Sequence, residues 1–431
     1  MSYYARSPSE ARETLMVAPA ARPDPRPGDD GRPVSHVRRL GCRLVAVLLD
    51  NPVRSYAWGS PTVIPELLGR APSGQPEAEL WVGAHPGSPS TVSGDGRPLS
   101  ALIEADPVAT LGAAVVDRFG PRLPFLLKIL AVQRPLSIQV HPTIEQAVEG
   151  YDAEDAAGLA LDDPRRSYHD RNHKPEMAVA LTPFEALVGF DDPVAVAASL
   201  EQSEHPDLVG AAAVLRDDDG LERLVRRWLT LDADAAAEIV TVLTGEASTR
   251  RHDPRFALVH RLAEAYPHDR GLLLALLLRH HVLEPGEAVF VPAGVPHAYL
   301  SGVAVEPQAS SDNTLRAGLT PKHVDAAEVL RILRYEPRGE VLVAPVVTDP
   351  GIELYPVPGV DELRLARVLL SRSGVMVPGP CLVLVVEGSA SLDGVSLARG
   401  HAAFVPASET GATLTGDGVA FTLTTALDQA R

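Results

Sequence analysis

The sequence contains little cysteine, which excludes two common ways of stabilising a fold. Only two cysteines, Cys42 and Cys381, occur among 431 residues, and they lie far apart along the chain. A disulfide framework needs several pairs, and a cysteine-based zinc site needs clustered thiolates. We therefore expect neither. The composition favours a reducing compartment, so the cytoplasm is the predicted location.

Long apolar runs are also missing. The longest, Gly271 to Leu278, is too short to cross a bilayer. The first forty residues are rich in proline and mixed charge and lack the apolar core of a signal peptide. We predict that residues 1–40 form a disordered leader that folding does not require, and we expect no membrane partner.

Positive charge is in short supply. The formal net charge is −17, from 39 Lys+Arg against 56 Asp+Glu. Such an excess of negative charge argues against a surface that binds nucleic acid or anionic membranes. It remains compatible with a local basic pocket for an anionic small molecule.

The chain does contain strand patterns on both sides of a helical region. Its hydrophobic content of 45% and its length are those of a soluble protein with two to three domains. Between residues 191 and 278, Ala-rich segments recur with helical spacing. Asp192 and Pro193 start this region as a helix cap followed by proline at the first helical position. We predict a helical insert in a mainly β protein.

The stretch from Pro135 to Pro142, PLSIQVHP, alternates polar and aliphatic residues. Period-2 alternation predicts a strand with one buried face, so Gln139 and His141 project the same way. An amide oxygen and an imidazole nitrogen on one strand can form half of a metal site. The alternative is a half-buried strand whose histidine faces solvent.

The segment from His281 to Leu300 predicts a strand, a turn and a second strand. This spacing resembles the second motif of cupin barrels, whose histidine, here His297, is a metal ligand. A fainter copy near residue 404 places Gly411 opposite that histidine. We therefore expect a second barrel of the same kind that binds no metal.

The predicted fold class is mainly β with a helical insert, in three ordered parts. Residues 41–190 plus 279–340 are expected to form a metal-binding cupin catalytic domain, a β-barrel of the jelly-roll type. Residues 191–278 form the helical insert. Residues 341–431 form a smaller C-terminal, metal-free cupin-like β domain.

Four side chains stand out as candidate metal ligands, each in a distinctive local motif: Gln139, His141, Glu176 and His297. Two imidazoles, a carboxylate and an amide suit zinc, and they also suit iron or manganese. For His297 alone the alternative is a loop residue that follows a proline turn.

Seven motifs together resemble type I mannose-6-phosphate isomerase. They occur in the order of that family, cover roughly Asn51 to His323 and leave the helical insert in its expected place. The motifs are YAWGS (56–60), ELWVGAHP (79–86), LPFLLKIL (123–130), PLSIQVHP (135–142), NHKPEM (172–177), PAGVPHAY (292–299) and SDNTLRAGLTPKH (311–323). Glu77 departs from the pattern, since an aromatic residue is expected there.

The resemblance implies one Zn²⁺ per chain, held by Gln139, His141, Glu176 and His297. It also implies that Arg316 takes part in an aldose–ketose isomerisation between D-mannose 6-phosphate and D-fructose 6-phosphate. That reaction supplies mannose for activated sugars such as GDP-mannose or feeds it into glycolysis.

Isomerisation through an enediolate needs a base with a pKa near the working pH. Lys174, His173 and Glu306 are the candidates, and the sequence leaves the choice open. The alternative for Lys174 is a structural salt bridge.

The phosphate needs basic donors, which Arg316 and Lys322 provide. The residues expected to orient the sugar are Lys128, Ser137, Trp58 and Glu79. We expect a monomer whose partner is a small phosphosugar. Two rival functions, an iron-dependent cupin dioxygenase and a sugar-sensing cupin without activity, explain the basic residues less well.

Overall fold

Two antiparallel sheets and a group of helices make up the part of the chain that the computed structural model describes. The described residues are 39–40, 43–44, 46–337, 341–407 and 411–427. Residues 35–431 group as one unit. The predicted leader lies outside the described residues, apart from its last two positions. The prediction of a mainly β protein with helices is confirmed.

The helices are short at the start of the chain and concentrated between residues 193 and 275. Among the described residues, no helix has both the length and the apolar character needed to cross a membrane. The helices are α1 Val63–Leu67, α2 Leu99–Ala105, α3 Pro107–Leu111, α4 Ala113–Phe119, α5 Ile144–Ala156, α6 Pro193–Leu200, α7 Pro206–Leu215, α8 Gly220–Thr230, α9 Ala233–Thr249, α10 Pro254–Ala265, α11 Gly271–Ala275 and α12 Ala326–Ile332.

The strands fall into an eleven-stranded sheet, a ten-stranded sheet and a separate pair, β1 with β2. Those before residue 191 are β1 Arg39–Leu40, β2 Arg43–Leu44, β3 Val47–Asp50, β4 Val53–Arg54, β5 Glu79–Gly83, β6 Thr91–Val92, β7 Phe125–Val132, β8 Ile138–Val140, β9 Glu176–Ala180 and β10 Phe184–Phe190. Those that follow are β11 Leu278–Leu283, β12 Ala288–Val291, β13 His297–Ala309, β14 Leu315–Gly318, β15 Leu342–Val343, β16 Val346–Asp349, β17 Ile352–Tyr355, β18 Arg364–Leu370, β19 Val375–Val377, β20 Cys381–Leu392, β21 Val395–Ala398, β22 Ala402–Val405 and β23 Ala412–Thr424.

The larger sheet carries the predicted ligand strands. Its order is β15-β12-β9-β13-β7-β5-β4, and β13 also pairs with β10 and β8. The smaller sheet has the order β16-β17-β18-β23-β20-β22-β3-β6. These pairings define open strand orders among the described residues. Neither sheet closes into a barrel through the strand pairings found among these residues.

The two sheets exchange strands across the predicted domain bounds. β3, from the start of the chain, pairs with β22 of the C-terminal region. Conversely, β15, which belongs to the predicted C-terminal domain, pairs with β12 of the larger sheet. Apolar residues from both sheets share one buried core, which includes Leu127 and Phe404. The division into domains stays a prediction.

The helical region starts as its sequence predicts and packs under the strand that carries the first ligands. Asp192 caps α6 by accepting a hydrogen bond from the Val194 amide at 2.9 Å, and Pro193 is the first helical residue. Ile138 and Val140 of β8 are fully buried in the core that these helices form. β8 is shorter than predicted, since it covers only Ile138–Val140.

The shared core predicts a stability effect. Phe404 is 0% exposed and pairs across the sheet with Leu382 and Val47. Phe404→Ala should therefore lower the free energy of unfolding by about 3–5 kcal/mol, measured by urea denaturation. Met376→Ala is the matched control, because Met376 is 60% exposed. Equal losses in the two variants would contradict a core that joins the two sheets at this point.

Candidate active site

The long strand β13 brings the candidate ligands together from distant parts of the chain. At its start, His297 lies opposite Gln139 of β8. Near its end, Gln308 lies opposite Glu176 of β9. On its other side, β8 pairs with β14, which places Arg316 opposite Gln139. One strand therefore aligns three segments that the sequence singled out separately.

Three of the four predicted ligands form a buried group. The ligand atoms of His141, Glu176 and His297 all lie within 4.8 Å of one another. The Glu176 carboxylate lies between the two rings, with Oε1 3.0 Å from His297 Nε2 and Oε2 3.3 Å from His141 Nε2. None of the three side chains is more than 2% exposed. The fourth, Gln139, is half-buried and lines the adjoining cavity.

Both imidazoles are oriented as metal ligands require. His141 Nδ1 lies 2.7 Å from the Asn313 carbonyl oxygen, and His297 Nδ1 lies 3.1 Å from that of Val295. A carbonyl oxygen only accepts, so each Nδ1 carries the proton and donates it. Each Nε2 then presents a lone pair toward Glu176. This arrangement of an outer carbonyl and an inner free nitrogen is typical of histidines that bind metal.

The electrostatics of the group keep His141 and Glu176 in the forms that bind a metal ion. Burial, together with the Lys174 ammonium, lowers the pKa of His141 to about 3, so the ring stays neutral. Burial alone would raise the pKa of Glu176, but the Lys174 ammonium, the largest opposing cause, holds it well below its usual value. Neutral imidazoles and an ionised carboxylate are the states that a divalent cation needs. The donor set therefore fits a metal ion.

Lys174 lies against this group. Its Nζ donates to Glu176 Oε2 at 2.7 Å and lies 3.3 Å from His141 Nε2. The side chain is buried and lines the cavity. The salt bridge offered as the structural alternative for Lys174 is present. Lys174 also lies beside the candidate site, which is the position that a catalytic role requires.

Lys128 and Glu306 form a second buried pair on neighbouring strands. Lys128 Nζ lies 3.0 Å from Glu306 Oε2, and both side chains are at most 7% exposed. Burial raises the pKa of Glu306 to about 7, against the opposing effect of Lys128. Although burial disfavours the Lys128 ammonium, Glu306, Glu79 and Glu176 raise its pKa. The pair therefore combines a Lys128 ammonium that is protonated at neutral pH with a Glu306 carboxyl that can change protonation near neutral pH.

A cavity of about 920 Å³ opens beside the ligand group. Most of the residues predicted from sequence line it, namely Trp58, Glu79, Lys128, Ser137, Gln139, Lys174, Arg316 and Lys322. Glu306 contacts Lys128 rather than lining the cavity itself. His173 lies elsewhere: its Nε2 is 2.8 Å from Glu362 Oε1, and it is not among the lining residues.

Three cations face this cavity without an ion-pair partner among the described residues. Arg316 is half-buried, and burial lowers the pKa of its guanidinium. Burial and the neighbouring Arg316 lower the pKa of Lys322 as well. Arg134, which sequence reasoning missed, is the third. Uncompensated positive charge is costly where it is partly buried, as at Arg316, so the cavity beside Arg316 suits an anion.

Gln308 is a second residue that sequence reasoning missed. Its Nε2 donates to the Ala309 and Ser311 carbonyl oxygens, both at 3.2 Å, which fixes the amide orientation. Its Oε1 is buried and has no hydrogen-bond partner among the described residues. Because the side chain lines the cavity, this oxygen is available to accept from a bound hydroxyl. The sequence did contain a signal for Gln308, because it lies two residues after Glu306 on one strand and side chains at that spacing share a face.

The similar proteins described here are named as mannose-6-phosphate or phosphomannose isomerases. A family model described as phosphomannose isomerase type I, catalytic domain, matches residues 47–192. Mannose-6-phosphate isomerase of Escherichia coli (strain K12) is 40% identical over 387 residues, which are 86% of this chain and 97% of that protein. The Rattus norvegicus protein of the same name is 33% identical, covering 84% of this chain and 93% of its own.

Solved structures agree with these relatives. Mannose 6-phosphate isomerase from Salmonella typhimurium, bound to its substrate fructose 6-phosphate and to zinc, superimposes with a TM-score of 0.81 at 38% identity. The similarity covers 88% of this chain and 99% of that one. The fold and most of the length are therefore common to both.

The geometry predicts that metal binding depends on the buried histidines. His297→Ala removes one of three converging ligand atoms and should lower bound divalent metal by tenfold or more, measured by mass spectrometry of dialysed protein. His401→Ala is the control, since His401 is exposed and distant in sequence from the ligand motifs. Full metal retention in folded His297→Ala protein would rule out His297 as a ligand.

Proposed function

The chain belongs to the type I phosphomannose isomerase family, and we propose that it interconverts D-mannose 6-phosphate and D-fructose 6-phosphate with one bound zinc ion. The observation that carries this proposal is the buried ligand group beside a cavity that is also lined by cations without an ion-pair partner among the described residues. A sugar phosphate has hydroxyl and carbonyl oxygens at one end and a dianion at the other. The cavity provides for both.

His141, Glu176 and His297, with Gln139 beside them, are the residues that would hold the zinc. When bound, zinc supplies positive charge that stabilises negative charge developing on the sugar oxygens. Lys174 contributes a further positive charge at the same place, at 2.7 Å from Glu176.

The remaining chemistry is the transfer of a proton between C1 and C2 of the open-chain sugar. We assign this proton transfer to the Lys128–Glu306 pair. Lys128 lines the cavity and its Nζ lies 3.0 Å from Glu306 Oε2. The Lys128 ammonium can give one proton to the Glu306 carboxylate while its nitrogen takes one from the substrate, and the reverse transfer returns both. Glu306, with a pKa of about 7, can accept and return a proton near neutral pH. Lys174 remains an alternative base, whereas His173 pairs with Glu362 away from the cavity.

The phosphate is assigned to the unpaired cations. Arg316 can grip two phosphate oxygens through parallel hydrogen bonds, which an ammonium cannot reproduce. Lys322 and Arg134 add charge at the same end. Trp58, Glu79 and Ser137 would orient the sugar between the two ends.

The architecture and assembly are part of the same proposal. We assign the two sheets to cupin-type jelly rolls, the second without a metal, and the chain to the monomeric state. Location in the cytoplasm stays a prediction.

Loss of Arg316 should impair turnover as well as binding. In Arg316→Ala we expect kcat to fall by about a hundredfold, because one charge contact that strengthens in the transition state is lost. Arg316→Lys should recover only part of the activity. The assay is isomerisation of mannose 6-phosphate, with zinc content measured in parallel and expected to be unchanged.

The control is Arg118→Ala, which removes an exposed arginine paired with Asp361. It should leave kcat and KM within about twofold. Near-normal kcat and KM in folded, zinc-replete Arg316→Ala protein would remove this residue from the site.

The protonation of Glu306 predicts a pH dependence. The base is the ionised carboxylate, whose population grows as pH rises through its pKa of about 7. The value of kcat/KM should therefore rise with pH below this pKa and level off above this pKa. A bound dication lowers the pKa of a nearby carboxyl, so the apparent value should lie at about 7 or below.

Glu306→Gln should lower kcat by about a hundredfold or more and abolish this acidic limb. An unchanged acidic limb in the variant would assign the titration to another group and return Lys174 as the base.

A further inference from the structure

The helical region reaches the substrate cavity at the end of α10. Arg261, Glu264 and Tyr266 line the cavity wall. The Tyr266 hydroxyl donates to the Pro135 carbonyl oxygen at 2.6 Å, just before the strand that carries Gln139. The helices therefore contribute to the cavity directly, besides packing beneath the sheet.

Three residues later, the carboxylate of Asp269 binds the turn that follows β14. Its Oδ1 accepts from the Leu319 amide at 2.9 Å, and its Oδ2 accepts from the Thr320 amide at 2.9 Å. The same Oδ1 also accepts from the amide of Gly271, the first residue of α11, at 2.7 Å. One side chain thus joins the start of a helix to two successive amides 50 residues further along the chain.

The contact is close, and the turn that it holds is strained. A Cβ added at Gly271 would lie 2.4 Å from the Leu319 nitrogen, and one added at Gly318 would lie 2.3 Å from the Gly271 Cα. Leu319 itself has a φ of 53°, in the left-handed region that non-glycine residues rarely adopt. Such a conformation persists only where its surroundings hold it, and such sites are often functional. Asp269 supplies the two hydrogen bonds that hold it.

This turn carries the phosphate end of the cavity. Leu319, Thr320 and Lys322 all line the cavity, as does Arg316 on β14 immediately before the turn. The Lys322 amide donates to Thr320 Oγ1 at 3.1 Å. A continuous series of hydrogen bonds therefore runs from Asp269 through Thr320 to Lys322.

We propose that Asp269 is a positioning residue for phosphate recognition: it anchors the Leu319–Lys322 turn so that Arg316 and Lys322 face the same anion. This inference rests on the proposed function and assigns to the helical region a role in selecting phosphorylated sugars. Asp269 touches neither the ligand group nor the Lys128–Glu306 pair in the contacts described, so it should act on the reaction only through the placement of Arg316 and Lys322.

The test compares Asp269→Asn with the wild-type, zinc-loaded enzyme. Asparagine keeps the shape but replaces one acceptor oxygen by an NH₂ group that faces an amide donor. We expect KM for mannose 6-phosphate to rise by about tenfold or more, and kcat to fall by much less than the hundredfold expected for Arg316→Ala, because Arg316 is displaced and not removed. The inhibition constant of inorganic phosphate should rise by a similar factor, and zinc content should not change.

Two further variants separate positioning from general stability. Gly271→Ala disturbs the same contact without altering charge, and it should shift KM and phosphate inhibition in the same direction. Asp253→Asn is the matched control: Asp253 caps α10 by accepting from the Arg255 amide at 3.0 Å, away from the cavity lining. It should lower the melting temperature and leave phosphate inhibition unchanged.

Each outcome is decisive. A selective rise in KM and in the phosphate inhibition constant, in Asp269→Asn or in Gly271→Ala, supports the positioning role. Unchanged phosphate inhibition in an active, folded variant, or an equal change in Asp253→Asn, overturns it. A wild-type enzyme that does not isomerise mannose 6-phosphate would instead refute the proposed function, which distinguishes the two failures.

Discussion

A single buried carboxylate, that of Glu176, is the constraint on which the rest of the site depends. It lies within 3.3 Å of polar atoms of His141, His297, Lys174 and Tyr299. An ionised carboxylate is costly in an apolar interior unless positive charge and hydrogen-bond donors surround it. Lys174 and the Tyr299 hydroxyl provide part of this compensation. The two imidazoles, with their protons on the outer nitrogens, leave the remainder to a metal ion. The strands that carry the groups around Glu176, or lie next to them, must therefore come together at this carboxylate.

In a chain with an excess of negative charge, cations without an ion-pair partner are informative where several of them line one cavity. With a net charge of −17, most arginines of the described chain lie against an acidic partner. Arg316, Lys322 and Arg134 depart from that pattern, and all three line one cavity. A cupin dioxygenase would have no use for such a cluster, and a sensor without activity would not need the buried Lys128–Glu306 pair. Membership of the isomerase family agrees with both features.

Local patterns predicted the elements of this site but not the contacts between them. Alternation put Gln139 and His141 on one strand, and the proline turn located His297, because both signals lie within a few residues. The same motif reasoning offered His173 as a base, yet that side chain pairs with Glu362, 189 residues away. Asp269 carried no local signal at all, since its meaning comes from a turn 50 residues later. Period and spacing determine which face a residue occupies, whereas its partners depend on strand order.

The helical region illustrates why such partners matter. β8 is only three residues long and lies between prolines, so its own ladder of hydrogen bonds cannot hold Gln139 and His141 in place. Ile138 and Val140 are instead buried against the helices, which supply the apolar surface that the short strand lacks. The connection between α10 and α11 also binds the turn after β14, the strand that pairs with β8, through Asp269. A segment inserted between two strands of the larger sheet thus supports the metal end by packing and the anion end by hydrogen bonds. Because the helical region contacts both β8 and the turn after β14, a change in its packing should disturb both parts of the cavity together.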